Sequence, residues 1–174
     1  MKLTMLGTGN ALVTACYNTC FLMEDNSKLL LVDGGGGNTI LRQIKQAGYD
    51  WMEIRHIFVT HKHIDHLLGI VWMVRMICQF MVHGEYLGEA FIYSHREGLE
   101  LIRDMAEKLL QKKKAACLDT RLHLVEVSDG ETREIIGHAV TFFDIQPTKA
   151  RQFGFRMELA AGGSGASPQP GFCR

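Results

Sequence analysis

The pattern of apolar and polar positions along the chain already divides it into short elements. Residues 3–6 are an apolar run closed by Gly7-Thr8-Gly9-Asn10, which predicts a strand and a turn. Residues 19–23 and 28–32 read as a hairpin around Asp25-Asn26-Ser27. Asp33 ends the second of these strands, and four glycines, 34–37, follow. Asn38 is placed to cap a helix that carries Ile40, Leu41, Ile44 and Ala47 on one face, with Gly48 to end it. Residues 54–60 are apolar and β-branched enough for a buried strand, and residues 67–82 predict a mostly buried helix. Residues 91–93 predict a strand. Ser94 or His95 then opens an amphipathic helix through Leu99, Ile102, Met105, Ala106, Leu109 and Leu110, with Lys112-Lys113-Lys114 suited to its C-terminus. Two more strands are expected over 122–127 and 134–145, around a Ser128-Asp129-Gly130 turn, and a last one over 153–159.

Composition narrows the class. The 174 residues are 47% hydrophobic, enough for one domain with a real core. Nineteen basic and nineteen acidic side chains cancel, so no net basic field draws in nucleic acid. At Ala160 the sequence changes to Ala, Gly, Ser and Pro, which divides the chain into a folded part, 1–159, and an expected disordered tail, 160–174. Five cysteines with no CxxC pair predict reduced thiols and a cytoplasmic protein. The first apolar run is too short for a signal peptide. Residues 67–82, interrupted by Arg75 and Gln79, fall short of a bilayer span, so no membrane role is expected.

Chemistry concentrates in Thr60-His61-Lys62-His63-Ile64-Asp65-His66, directly after a buried strand. Four candidate metal ligands stand within six positions. On an extended loop, residues two apart point the same way, so His61 and His63 can share one cation. Asp65 and His66 fall where the next helix begins and can serve a second cation nearby. Two such ions activate a water and brace the entering and leaving oxygens, and Asp65 can accept the proton. The other histidines, His56, His83, His95, His123 and His138, stand alone and are expected to be structural or exposed.

These residues resemble the HxHxDH signature of the metallo-β-lactamase superfamily. Leu6-Gly7-Thr8-Gly9, Leu31-Val32-Asp33-Gly34-Gly35-Gly36, Ile57-Phe58-Val59-Thr60 and Phe153-Gly154-Phe155-Arg156 make the ribonuclease Z branch the most similar. The resemblance implies an α/β (α+β) protein, the N-terminal part of an αββα sandwich with its second half incomplete. It implies two metal ions, usually zinc, with other divalent metals admitted. His61 and His63 would serve the first metal and Asp65 and His66 the second, with Asp33 orienting a ligand from behind. The glycine run could offer N–H groups to phosphate, although a plain turn is the stronger expectation. His66 after Asp65 argues against the diiron oxidoreductase branch.

The implied activity is hydrolysis of a phosphodiester by metal-activated hydroxide, as in an endoribonuclease that processes tRNA 3′ ends. A precursor tRNA or a small phosphodiester or ester is the expected substrate, since other superfamily members cleave thioesters, lactones, β-lactams or cyclic nucleotides. The family's third histidine has no counterpart: Gln146 stands where it is expected, and the later bridging Asp and final His are absent. That leaves an impaired, weakly metal-binding remnant as the alternative. A truncated or frame-shifted product would explain the tail, and the unpartnered sheet face would favour aggregation or a homodimer.

Overall fold

The computed structural model describes residues 1–146 and 150–159. The expected tail, 160–174, lies outside the described residues. Strands β1 (Lys2–Gly7), β2 (Cys20–Asp25) and β3 (Lys28–Val32) form an antiparallel meander, and β4 (His56–Phe58), β5 (Ala90–Ser94) and β6 (Leu122–Glu126) extend it in parallel. The six strands are hydrogen-bonded in chain order. A second sheet holds β7 (Thr132–Ile135), β8 (His138–Asp144) and β9 (Phe153–Glu158), all antiparallel. Helices α1 (Thr39–Gln46), α2 (Ile64–His83), α3 (Arg96–Leu109) and α4 (Lys112–Ala115) complete the order. Helices and two stacked sheets give the αββ part of the expected sandwich.

Strand alternation builds two cores. Leu22, Leu29, Leu31, Ile57 and Ile92 face the helices, where Ile40, Ile44, Ile70, Met73, Ile77 and Ile102 meet them. Leu30, Val32, Phe58 and Tyr93 face the second sheet and pack on Val140, Phe142 and Phe153. Across the six strands the inward residues form two rows. One runs Leu3, Met23, Leu30, His56, Phe91, His123, and the other Met5, Phe21, Val32, Phe58, Tyr93, Val125.

The structure corrects four expectations. Residues 134–145 are two strands: Ile136 and Gly137 both take positive φ, 49° and 88°, and make a tight hairpin turn between β7 and β8. The amphipathic helix ends at Leu109, because Leu110 and Gln111 are extended and Leu110 turns towards the core; Lys112–Ala115 is a separate turn of helix. Asn38 sits at the N-cap of α1 but makes no capping bond. Cys78 and Cys117 are joined as a disulfide, with Cα atoms 5.7 Å apart, so these two are not reduced thiols; Cys16 and Cys20 are free. In addition, α2 begins at Ile64 and is 20 residues long with mean hydropathy 1.4, which by length and composition is enough to cross a membrane. Here Leu67, Ile70, Met73, Val74, Ile77, Cys78 and Met81 of that helix are buried in the protein core.

Candidate metal centre

The site lies where β3 and β4 end and α2 begins. Asp33 leaves β3 with φ of 56°, a strained conformation for a residue with a Cβ, and is 5% exposed. Its carboxylate is held from both sides of the next strand crossing. Oδ1 accepts the Thr60 N–H at 2.8 Å, and Oδ2 accepts the Thr60 hydroxyl at 2.7 Å. Oδ2 also lies 2.7 Å from His66 Nδ1. Thr60 Oγ1 is in turn 2.9 Å from His61 Nδ1.

These contacts fix the tautomers. The Thr60 hydroxyl gives its proton to Asp33, so His61 Nδ1 is the donor in the next contact, and His61 Nε2 keeps its lone pair. His66 Nδ1 donates to Asp33, and His66 Nε2 keeps its lone pair in the same way. A carboxylate that orients an imidazole through one nitrogen leaves the other for a metal.

The rings converge. His61 lies 4.6 Å from His63 and 4.1 Å from His66, centroid to centroid. Asp65 Oδ2 is 3.5 Å from His66 Nε2. Ligand atoms of Asp33, His61 and His66 lie within 4.8 Å of one another. His61 is buried and His63, the N-cap residue of α2, is exposed. The five side chains thus form one cluster centred on His61 and His66, and the division into a His61/His63 pair and an Asp65/His66 pair is not imposed by the geometry. Burial pushes the His61 imidazole down to about 4, helped by His66 and His63 and opposed by Asp33 and Asp65. Burial also opposes charge on His66, but the hydrogen bond and charge of Asp33, with Asp65 behind them, raise its pKa.

Two donor nitrogens with free lone pairs, a third imidazole beside them and two carboxylates are a donor set that suits a divalent cation such as zinc. Gln146 does not join them: it is exposed, with φ of 53°, and its N–H bonds to Asp144.

The glycine run is a close-packing device more than a flexible turn. Gly34 N–H donates to His66 O, and Gly69 N–H to Gly35 O, both at 2.8 Å. A Cβ on Gly34 would sit 2.5 Å from Ile70 N, and one on Gly35 would meet the Tyr17 ring at 2.4 Å. Tyr17 Oη bonds Gly34 O and Gly37 O at 2.7 Å and so seals the loop from outside. Thr60 and Tyr17 are positioning residues that sequence alone did not single out. The hydroxyl immediately before the first histidine was the available signal for Thr60; nothing marked Tyr17.

Comparison with known proteins agrees with this geometry. The family described as "Anti-Pycsar protein Apyc1" matches residues 1–161. Ribonuclease Z of Haloferax volcanii is 38% identical over 78 residues, 44% of this chain and 24% of that protein. Among solved structures, the metallo-β-lactamase fold protein YhfI from Bacillus subtilis superposes with a TM-score of 0.67 at 18% identity, covering 90% of this chain and 58% of that one. Human tRNase Z, short form, gives 0.65 at 18% identity, covering 91% and 64%. The chain thus spans about a quarter of that curated relative and about three-fifths of these structures. With the family match running through nearly all of its length, the chain belongs to the anti-Pycsar protein Apyc1 family, and its fold is that of the metallo-β-lactamase fold proteins.

Proposed function

We propose that this chain is the metal-binding part of a phosphodiester hydrolase of the ribonuclease Z type, with RNA, including a precursor tRNA 3′ end, as its substrate class. The observation that carries this is the His61–His63–His66 cluster, with the tautomers of His61 and His66 set through Asp33 and Thr60. His61, His63, Asp65 and His66 would hold zinc or another divalent ion, and Asp33 acts from behind them. Bound there, the ion supplies Lewis acidity towards a phosphoryl oxygen and the attacking water. Asp65, on the first turn of α2, is the carboxylate that takes the proton as the water oxygen bonds to phosphorus and the ester oxygen departs. Asp33 keeps His66 in one tautomer throughout, and Tyr17 keeps the loop beside Asp33 closed.

A second reading has its own support. Among the described residues, Asp33, His61 and His66 are the only group of three whose donors all lie within 4.8 Å of one another, and Asp33 is already engaged by Thr60 and His66. Catalytic zinc ordinarily has three protein ligands and a water. A chain with weak metal binding and little turnover fits that count. Zinc titration by calorimetry, with cleavage of bis(p-nitrophenyl) phosphate and of an RNA with a 3′ trailer, separates the two. Tight binding with cleavage abolished in His63→Ala supports the hydrolase. Weak zinc binding without cleavage of either substrate leaves the impaired chain.

A further inference from the structure

The two sheets are tied together at the metal end by a main-chain bond. Phe153 N–H, at the start of β9, donates to Thr60 O at 2.9 Å. That carbonyl belongs to the peptide that joins Thr60 to His61. The peptide is planar, so holding its oxygen sets the direction in which His61 leaves the strand end. On its other side Thr60 is held by Asp33, through its N–H at 2.8 Å and its hydroxyl at 2.7 Å. Every polar group of Thr60 is thus engaged, and the bond to its carbonyl comes from the second sheet.

The group that seats Phe153 is an imidazole outside the metal cluster. Phe153 is fully buried, and its ring stacks on His95, with 5.8 Å between centroids and 26° between planes. His95 follows β5, is the N-cap residue of α3, and is 1% exposed. Its Nδ1 accepts the Gly98 N–H at 3.4 Å, so in the neutral ring the proton sits on Nε2. Two neighbours keep the ring in place. Ser94 Oγ donates to Val59 O at 2.8 Å and ties the end of β5 to the residue before Thr60. Gly98 leaves room for both side chains, since a Cβ there would stand 2.6 Å from Ser94 Oγ and 3.6 Å from His95 Nε2.

Capping alone does not call for an imidazole here. Asp, Asn or Ser would accept the same N–H. Among the described residues His95 Nε2 is buried without a hydrogen-bond partner, a cost that a smaller cap would not carry. What a smaller cap lacks is the flat face on which Phe153 lies. A phenylalanine would supply that face but leave the cap unmade. We propose that His95 is a positioning residue of the metal centre: its ring seats Phe153, and Phe153 fixes the peptide that carries His61. Thr60, held in this way, keeps its hydroxyl 2.9 Å from His61 Nδ1 and so sets the tautomer of that ring. This rests on the reading of His61 as a metal ligand.

Two substitutions separate the ring from the cap. His95→Phe keeps the face and loses the acceptor, whereas His95→Asn keeps an acceptor and loses the face. Nitrogen NMR of the isotopically labelled, metal-free full chain reads the His61 tautomer, and a competition titration reads zinc affinity. In the parent, His61 carries its proton on Nδ1. His95→Asn should give a mixture of both His61 tautomers. It should also lower zinc affinity about tenfold, the low end of the roughly 10–100-fold typical of residues that orient a metal ligand directly. His95→Phe should leave tautomer and affinity as in the parent, although the lost cap lowers its Tm. Phe153→Leu keeps the N–H and removes the ring, so it should reproduce His95→Asn, and it decides the matter if circular dichroism shows that His95→Asn does not fold. Parent tautomer and parent affinity in His95→Asn overturn the proposal. So do equal losses in His95→Asn and His95→Phe, which would make His95 a structural cap. If the parent binds no zinc, the metal reading fails, and the His61 tautomer in the metal-free variants still decides the role of His95.

Discussion

Gly69→Ala is the sharpest test of how the metal loop is held. Gly69 lies inside α2, where helix propensity alone predicts that Ala stabilises by about 1 kcal/mol. The packing predicts the opposite sign. A Cβ at Gly69 would stand 1.7 Å from Gly34 O and 2.4 Å from Gly34 C, both backbone atoms that no rotamer change can move aside. Ordinary contact begins near 3.4 Å, so the loop must retreat by 3.4 − 1.7, about 1.7 Å. That breaks the two 2.8 Å bonds, Gly34 N–H to His66 O and Gly69 N–H to Gly35 O. Two net hydrogen bonds at about 1 kcal/mol each and overpacking strain of about 1–3 kcal/mol outweigh the propensity gain. The net loss is about 2–4 kcal/mol, or roughly 5–15 °C in Tm. Gly37→Ala is the control, since nothing lies within 4 Å of its Cβ position. Thermal and urea unfolding of both variants measure this. A Gly69→Ala protein as stable as the parent would show that the loop is not clamped on the helix, and the account of how Asp33 is placed would fail with it.

Three further outcomes are expected. Asp33→Ala removes the acceptor for the Thr60 N–H and hydroxyl and for His66 Nδ1, so zinc affinity should fall about 10–100-fold in a competition titration; unchanged affinity would remove Asp33 from the site. Reducing the Cys78–Cys117 bond opens a 39-residue loop and should lower the unfolding free energy by about 4 kcal/mol, read as a shift in urea midpoint with and without reductant. His95 is buried at the N-cap of α3, and burial lowers its pKa, with Arg151 and Lys62 adding to this and Glu97 and Asp144 opposing it. The unfolded chain then binds the proton first, so stability supplied by neutral His95 is complete above about pH 6.5 and declines as the pH falls below that towards the folded value. His95→Asn, which keeps a capping acceptor, should show a shallower decline below pH 6.5; an identical slope would contradict this.

Much of the fold was legible because alternation and turn chemistry agreed. The hairpin at Asp25-Asn26-Ser27 closes where expected, with Asn26 and Ser27 both at positive φ. His95 at the N-cap of α3 and the last strand also lie where the pattern put them. Residues 134–145 misled because Ile136, a β-branched residue, takes a left-handed conformation that its type resists, so the run looked like uninterrupted strand. The break after Leu109 was hidden because the lysines beyond it suit any helix end. Cysteine pairing depends on α2 meeting the turn after α4, a tertiary contact that spacing cannot express. In the site, the sequence named side chains that the structure brings close together, while their hydrogen-bond partners were not legible. The place of Thr60 between Asp33 and His61 depends on two strands ending side by side.

The helix that begins at the metal loop is also the central rod of the larger core. His63 is the N-cap residue of α2, Asp65 and His66 lie on its first turn, and Ile70, Met73 and Ile77 farther along are fully buried. The end of the helix beside the candidate metal centre therefore has no private hinge: loosening its first turn means withdrawing the rod. Amide protons of His66 and Leu67, bonded to the His63 carbonyl, should exchange with solvent only as fast as the whole domain opens.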